Sequence, residues 1–190
     1  MIDLIQGWIW TLWAALLLIW VIAAFTSKRS TAKQTKGSRY IQLGIEIFAF
    51  FLMFDGWFDQ SWLAMRVVPR TQAIVLAGLA ATLAGMAFCY WARAILGRNW
   101  SANVTLKQEH QLVRRGPYSF VRHPIYTGLL FALLGTAFVY GHARSFIAVL
   151  LAGFGWWLKL RVEEQFMLQQ FGEQYARYRR EVRALVPFVL

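Results

Sequence analysis

Five long apolar runs dominate this sequence, and they constrain its fold more than any other feature. A helix that crosses the hydrocarbon core of a bilayer needs about 20 mostly apolar residues. The chain is 58% hydrophobic, which is more than a single soluble core of this length requires. The runs cover residues 4–26, 40–58, 71–92, 124–140 and 145–158. They predict an all-α, polytopic membrane protein with five transmembrane helices.

The runs differ in how well they suit a membrane span. Four of them carry no charged side chain, whereas the second contains Glu46 and Asp55. The last run is shorter, but its apolar face continues past Lys159. The first run is too long for the apolar part of a secretory signal, and the basic cluster follows it rather than precedes it. We therefore interpret the first run as a transmembrane helix.

Basic residues cluster in every second segment that connects or follows these runs. Seventeen of the 20 lysines and arginines lie between runs one and two, between runs three and four, or after run five. Such an excess is typical of cytoplasmic segments. We therefore expect an integral inner-membrane protein with its N-terminus outside and its C-terminus in the cytoplasm. The formal net charge of +11 then indicates membrane lipids, and not nucleic acid, as partners.

The chain is predicted to form a single membrane domain over residues 1–190. Residues 1–90 would supply three spans, and residues 91–190 a core with a cytoplasmic loop and a C-terminal helical tail. The lone Cys89 lies in an apolar run and is expected to pack there. His110, His123 and His142 are not at the spacing of metal ligands, so no metal site is expected.

The stretch "RRGPYSFVRHPIYTG" joins a basic segment to the fourth apolar run, with His123 and Pro124 at the junction. Proline is favoured at the first position of a helix, so His123 is expected to be the N-cap residue of this helix. One interpretation is only structural: a cap, a proline and basic side chains at the membrane surface. The other is functional, because a helix N-terminus can bind a carboxylate or a sugar hydroxyl. Tyr118 and Tyr126 would add hydroxyl groups and flat ring faces.

A second polar cluster begins near the end of the fifth run, in "KLRVEEQFMLQQFGEQYARYRREV". Adjacent carboxylates at a membrane boundary are costly unless they are paired or solvated. Glu163 and Glu164 could belong to a solvated helix with an ion pair to Lys159. Alternatively, they form an anionic site for a cationic ligand. Glu46 in the second run could face a neighbouring helix, a cavity, a substrate tunnel or the membrane surface.

Taken together, "GPYSFVRHPIYTG" and "EEQFMLQQFGEQYARYRREVRALVPF" make the chain resemble the isoprenylcysteine carboxyl methyltransferase family. These are integral membrane methyltransferases that use S-adenosylmethionine and release S-adenosylhomocysteine. The resemblance covers residues 91–190, which would make this part the cofactor-binding core. The first 90 residues match only as generic spans. The short chain is typical of a prokaryotic member.

The resemblance implies which residues surround the cofactor. Glu163 would meet the ammonium group of the methionine part. The segment before the junction would line the adenosine part, and the junction itself would hold the ribose and methionine. In order, these candidates are His110, Gln111, Leu112 and Val113, then Tyr118, His123, Pro124, Ile125 and Tyr126, with Asn103 as a further candidate.

The resemblance also implies residues for the acceptor and for catalysis. Lys159 stands where relatives carry an arginine that faces the substrate carboxylate, and a lysine keeps the charge but loses the bidentate fork. Arg122 is a second candidate for contact with an anion. Glu164 or His123 could act as a base if the acceptor is an amine or an alcohol. A lipophilic acceptor would enter from the bilayer, and its reactive group, whether carboxylate, thiol or amine, stays open.

Two other classes of function remain as alternatives. Membrane enone or sterol reductases share a similar C-terminal plan and use NADPH. The paired glutamates suit a cationic cofactor better than the extra phosphate of NADPH. A non-catalytic lipid-binding membrane protein could also retain the same fold.

Overall fold

Long helices make up most of the chain in the computed structural model, which describes residues 1–24, 30–33, 36–97, 105–107 and 112–185. Five of them lie where the apolar runs predict helices, and a short sixth helix follows. They are α1 (Ile2–Ala24), α2 (Lys36–Phe54), α3 (Gln72–Leu96), α4 (Pro124–Tyr140), α5 (Ala143–Phe171) and α6 (Glu173–Glu181).

Three of the described helices are long and apolar enough to cross a membrane by themselves: Ile2–Ile22 within α1, Gln72–Leu96 and Ala143–Phe171. The Pro124–Tyr140 helix is equally apolar but shorter. The protein is therefore an integral membrane protein. Helix α5 continues well beyond the predicted run, since residues 159–171, in which polar and apolar side chains are mixed, are also helical.

Two short strands were not predicted. Strand β1 (Ser30–Lys33) pairs antiparallel with strand β2 (Thr105–Lys107), with Ser30 opposite Lys107 and Lys33 opposite Thr105. The expectation of an entirely helical chain is therefore correct only for the long elements. Neither segment has the alternating apolar pattern that reveals a strand in a sequence. The pairing joins the α1–α2 connection to the segment after α3.

Polar contacts gather two connections and the start of α1 at one end of the helical bundle. An ion pair joins Asp3 in α1 to Arg70 before α3. The backbone bridge between Arg66 and His142 brings the α2–α3 connection to the α4–α5 turn. The opposite end of the bundle holds strands β1 and β2, the start of α4 and helix α6. The polar clusters found in the sequence therefore lie at the other end of the bundle.

Helices α3 and α4 approach closely through small residues. A Cβ atom added at Gly85 would lie 2.5 Å from both the Ala132 nitrogen and the Gly128 oxygen. The Cys89 thiol donates to the Ile125 carbonyl at 3.2 Å. Such contacts are typical of helices packed in membranes. They fix the first turn of α4 against α3, and Cys89 has the packing role expected for it.

The chain turns back sharply after α5. Gly172 has a φ of 50°, which a residue with a side chain rarely adopts, and α6 begins directly after it. The Tyr178 hydroxyl of α6 then donates to the Tyr118 carbonyl at 2.5 Å. Beyond α6, the Arg183 carbonyl accepts a hydrogen bond from the Arg122 backbone N–H at 2.8 Å. Helix α6 and the residues after it therefore pack against the segment that leads into α4.

Candidate active site

The centre of the candidate site is the turn into α4. His123 is the N-cap residue of α4, and Pro124 occupies the first helical position, as the sequence predicts. Within the described residues, the His123 side chain caps no backbone N–H. The backbone N–H of His123 donates to the Ala184 carbonyl at 3.0 Å. The imidazole is consequently available to two carboxylates of α5.

The first of these carboxylates is Glu163. Its Oε2 lies 3.5 Å from His123 Nδ1, and its Oε1 accepts a hydrogen bond of 2.6 Å from the Tyr126 hydroxyl. The His123 and Tyr126 rings stack with centroids 5.7 Å apart. One turn of α4 thus holds both groups on the same carboxylate. The Glu163 side chain remains 24% exposed, so it can still receive a ligand.

The second carboxylate, Glu164, is more fully engaged within the protein. Arg122 donates to Glu164 Oε1 from Nε at 2.8 Å and from Nη2 at 2.6 Å. His123 Nε2 lies 3.3 Å from the same oxygen, and Arg179 Nε lies 3.3 Å from Oε2. The Arg122 and Glu164 side chains are each only 9% exposed. A buried charge needs such partners, and they leave Glu164 little capacity for a ligand.

Arg122 is likewise occupied by the fold. Its Nη1 donates to the backbone carbonyls of Arg179, at 3.2 Å, and of Val182. Together with the two bonds to Glu164, these contacts tie α4, α5 and the end of α6 to one guanidinium group. This geometry favours a positioning role for Arg122.

The two glutamates set the charge of the imidazole. Burial alone would lower the pKa of His123, but the hydrogen bonds and negative charges of Glu163 and Glu164 together raise it above its ordinary value of 6.5. Burial raises the pKa of Tyr118, and the charge of Glu163 adds to this effect. His123 is therefore held toward its cationic form between two carboxylates, and Tyr118 remains a neutral phenol.

A further group of side chains lies deeper along α5. Trp156, Lys159 and Glu163 share one helical face, and Trp156 stacks on Tyr126 with centroids 6.1 Å apart. The Lys159 ammonium lies 5.6 Å from the centroid of the Tyr126 ring. Tyr126 is therefore the link between the glutamate cluster and Lys159.

Helix α2 adds Glu46 to this deeper group. A Cβ atom at Gly155 of α5 would lie 3.1 Å from Ile45 and 3.7 Å from Glu46, so the two helices touch at this level. The charges of Lys159 and Glu163 act on the Glu46 carboxylate. Its Oε1 is buried and has no hydrogen-bond partner among the described residues. Glu46 therefore lies against the neighbouring helix α5.

Comparison with known proteins places the chain in a family. The family model described as phospholipid methyltransferase matches residues 73–174, which is more than half of the chain. The chain belongs to this family. The match includes α3, α4 and α5, and thus the His123–Pro124 turn and both glutamates. Helices α1 and α2, which carry Glu46, lie outside the match.

Individual relatives of this family member are isoprenylcysteine methyltransferases. The protein-S-isoprenylcysteine O-methyltransferase of Schizosaccharomyces pombe is 32% identical over 99 residues, covering 49% of this chain and 41% of that protein. Protein-S-isoprenylcysteine O-methyltransferase B of Arabidopsis thaliana is 33% identical over 96 residues, covering 49% of each. The resemblance found in the sequence is thereby confirmed. The chain spans about half the length of the curated relatives that it matches.

A solved structure shares the fold of this family member. The eukaryotic intramembrane Ras methyltransferase ICMT aligns with a TM-score of 0.55 and 24% sequence identity. The alignment covers 82% of this chain and 54% of that protein. The likeness extends beyond the matched half of the sequence and includes most of the helical bundle.

The structure brings together many of the site residues that the sequence predicts for this family member. Arg122, His123, Tyr126, Glu163 and Glu164 form one connected cluster, with Lys159 beside it. Of the other candidates, Leu112 and Val113 are half-buried, Tyr118 and Pro124 are buried, and the Ile125 carbonyl accepts a hydrogen bond from the Cys89 thiol. Asn103, His110 and Gln111 lie outside the described residues.

Sequence reasoning missed two residues that contact the cluster. Arg179 reaches Glu164 only because the chain turns back at Gly172, and no helical period connects the two positions. Trp156 belongs to neither of the two sequence motifs, but it is only 5% exposed and stacks on Tyr126. Its place seven residues before Glu163, on the same helical face, was a usable signal.

Proposed function

We propose that this chain is an integral membrane methyltransferase that moves the methyl group of S-adenosylmethionine to a lipophilic acceptor. The observation that carries the proposal is the Glu163 carboxylate. It is oriented by Tyr126 and His123 at the start of α4 and remains partly open. The family match and the isoprenylcysteine methyltransferase relatives support the same reaction class.

The chemistry of the cluster fits this cofactor. S-adenosylmethionine carries an ammonium group, and the partly exposed Glu163 carboxylate provides the opposite charge, since Glu164 is already paired within the protein. Glu163 would bind the ammonium. Tyr118, Pro124 and Ile125 would border the ribose and methionine, while Leu112 and Val113, with Asn103, His110 and Gln111, would border the adenosine. When bound, the cofactor supplies an electrophilic methyl group.

The residues of the chain would mainly position the reactants and exclude water. His123 and Tyr126 hold Glu163 in place, and Arg122 and Arg179 fix the neighbouring Glu164. A carboxylate or thiolate acceptor needs no base. For an amine, Glu164 would first have to leave three cationic partners, so its pairing weighs against a role as base.

The acceptor is expected on the side of Lys159. Lys159 and Glu46 are polar groups between apolar helices, and such groups tend to be functional. Lys159 would attract a carboxylate, and Glu46 would moderate its charge. The family description names phospholipids, whereas the relatives' names specify isoprenylcysteine. Both are lipophilic acceptors that a bilayer can deliver.

The membrane arrangement that we propose has five spans, with α2 and α4 crossing beside the three longer helices. The N-terminus lies outside, and the cluster faces the cytoplasm, where S-adenosylmethionine is dissolved. The grouping of connections at two opposite ends and the skew of basic residues support this arrangement. S-adenosylmethionine would therefore reach the cluster from water and the acceptor from the bilayer.

Cofactor binding in detergent tests the proposal. Radiolabelled S-adenosylmethionine should bind the purified chain, and NADPH should not. Glu163→Gln should weaken this binding about 10- to 100-fold, because a charged hydrogen bond contributes roughly 1.5–3 kcal/mol. Glu173→Gln is the matched control, since Glu173 is 83% exposed and lies in α6.

Three results would contradict the proposal. Binding of NADPH alone would point to a reductase. If the folded protein binds neither cofactor, a lipid-binding function would remain. Equal affinities of Glu163→Gln and the control for S-adenosylmethionine would remove Glu163 from the cofactor site.

A further inference from the structure

A polar cavity that is open to solvent lies beside Arg122. It has a volume of about 420 Å³ and is bordered by the end of α5, by α6 and by the residues that follow α6. Leu168 and Ala176 supply apolar parts of its wall. The polar part of the wall consists of four arginines: Arg122, Arg179, Arg180 and Arg183.

The charges around this cavity do not balance. Glu164 pairs with both Arg122 and Arg179, and Glu173 lies 3.7 Å from Arg180. Glu173 and Arg180 are strongly exposed, so their contact is weak. Arg183 is exposed as well. Four guanidinium groups thus face two carboxylates, which leaves the cavity positive.

The shape of the charged groups indicates which anion fits. Guanidinium groups bind phosphate through paired N–H donors, and arginine is the preferred residue for this purpose. A cavity of this volume can hold a phosphate together with a small group attached to it. Leu168 and Ala176 provide an apolar surface for the attached group.

This cavity is separate from the proposed methyl-transfer site. Glu163, Tyr126 and Lys159 do not line it. Arg122 is common to both, but its Nε and Nη2 are already bonded to Glu164. Arg180 and Arg183 have no contact with the glutamate cluster among the described residues. A ligand in this cavity would therefore not occupy the place of the cofactor.

The position of the cavity along α5 corresponds to the lipid headgroups. Leu168 is 25 residues beyond Ala143, a distance of about 38 Å along a helix. The hydrocarbon core of a bilayer is about 30 Å thick, and the headgroup layers extend this to about 40–45 Å. If α5 starts at one edge of the hydrocarbon, Leu168 lies about 8 Å beyond the other edge, at the outer boundary of the headgroup layer.

We propose that the arginine cavity is a binding site for a single phosphate group, carried by an anionic phospholipid or by a soluble phosphate ester. Arg180 and Arg183 supply its available guanidinium groups. Arg122 and Arg179 form its inner wall. The site does not depend on the proposed methyl transfer.

Binding of defined ligands to the full chain in neutral detergent tests this proposal. The ligands are dihexanoyl phosphatidylglycerol, dihexanoyl phosphatidylcholine and inorganic phosphate, measured by native mass spectrometry and by thermal shift. Phosphatidylglycerol should bind most tightly. The double variant Arg180→Gln/Arg183→Gln should lose at least about tenfold in affinity, since each arginine near anionic lipid contributes about fivefold.

A matched double variant separates a built site from general surface charge. Arg39→Gln/Arg177→Gln removes the same charge from exposed positions that do not line the cavity. Its affinity for phosphatidylglycerol should stay within about twofold of the wild type. If both double variants lose affinity equally, or if the cavity variant loses none, the proposal is overturned.

The ligand series also identifies the source of the phosphate. Inorganic phosphate that binds as tightly as phosphatidylglycerol would support a soluble phosphate ester in the cavity. Preference for phosphatidylglycerol over both other ligands would support the lipid. If none of the three ligands binds, and none of them changes the melting temperature of the protein, the proposed phosphate site is overturned.

Discussion

Two adjacent residues of the same type, Glu163 and Glu164, have different surroundings in this protein. Neighbouring positions of a helix point about 100° apart, so Glu163 faces Tyr126 of α4 while Glu164 faces Arg122 and Arg179. The sequence predicts that both lie near the His123–Pro124 turn. It does not predict their division of roles, because Arg179 reaches Glu164 only through the turn at Gly172.

The contacts of His123 predict a pH dependence of stability. Since the two glutamates raise the pKa of His123 in the folded state above 6.5, its protonated form stabilises the fold. This contribution should be complete below about pH 6.5 and decrease as the pH rises through the folded-state pKa. Melting temperatures of the wild type and of His123→Asn, measured from pH 5.5 to 9, should differ most at the acidic end.

His142 provides an internal control for this measurement. Burial lowers the pKa of His142, and the nearby Arg144 and Arg66 lower it further. The neutral form is therefore the stabilising one, and the difference between the wild type and His142→Asn should change with pH in the opposite direction. Parallel pH trends for the two variants would show that His123 is not held by the glutamates.

Among the elements, α4 is the helix whose limits the sequence predicts best. Pro124 can only start it, and Gly141, with a φ of 71°, ends it. The end of α5 was less predictable, because its apolar run stops before Lys159 while the helix continues to Phe171. Its last turns depend on tertiary contacts, such as those of Glu164, and not on an apolar pattern.

The close approach of α3 and α4 predicts a sensitive position at Gly85. In Gly85→Ala, the new methyl group would collide with backbone atoms of Gly128 and Ala132, which cannot move aside. We expect a loss of about 1–3 kcal/mol, or roughly 2–10 °C in Tm for a chain of this length. Scanning fluorimetry in detergent, using the many tryptophans, would measure it.

Gly44→Ala is the matched control for this substitution. Gly44 lies in α2, and a Cβ atom there meets nothing within 4 Å. Alanine also favours a helix over glycine, so the melting temperature should stay the same or rise slightly. An unchanged Tm in Gly85→Ala would mean that the two helices lie farther apart than described.

At the scale of the whole molecule, the chain separates its connections into two groups. One group contains the ion pairs of Asp3 with Arg70 and of Asp59 with Arg144. The other contains the two strands, the glutamate cluster and the arginine cavity. The charge pattern predicted this division, since most basic residues fall on one side. It could not predict the strand pairing, which joins segments about 75 residues apart without a local signal.

The proposed orientation can be tested by labelling single cysteines. Cys89 is fully buried, so the wild type gives little background. Gln60→Cys and Arg177→Cys place exposed thiols at the two ends of the bundle. A membrane-impermeant maleimide added to intact cells should label position 60 only, and position 177 should react after permeabilisation. The reverse pattern would invert the orientation. Labelling of both positions in intact cells would contradict the three proposed spans, α3, α4 and α5, that separate them.

The backbone bonds from residues 183–185 to the start of α4 have a consequence for biosynthesis. Arg183, Ala184 and Leu185 accept hydrogen bonds from Arg122, His123 and Thr127. A ribosome synthesises α4 long before it reaches these acceptors. A nascent chain can therefore have all its long helices in the bilayer while the turn at His123 still lacks its partners. The turn at His123 can therefore reach its final hydrogen-bonded form only after residues 183–185 have been synthesised.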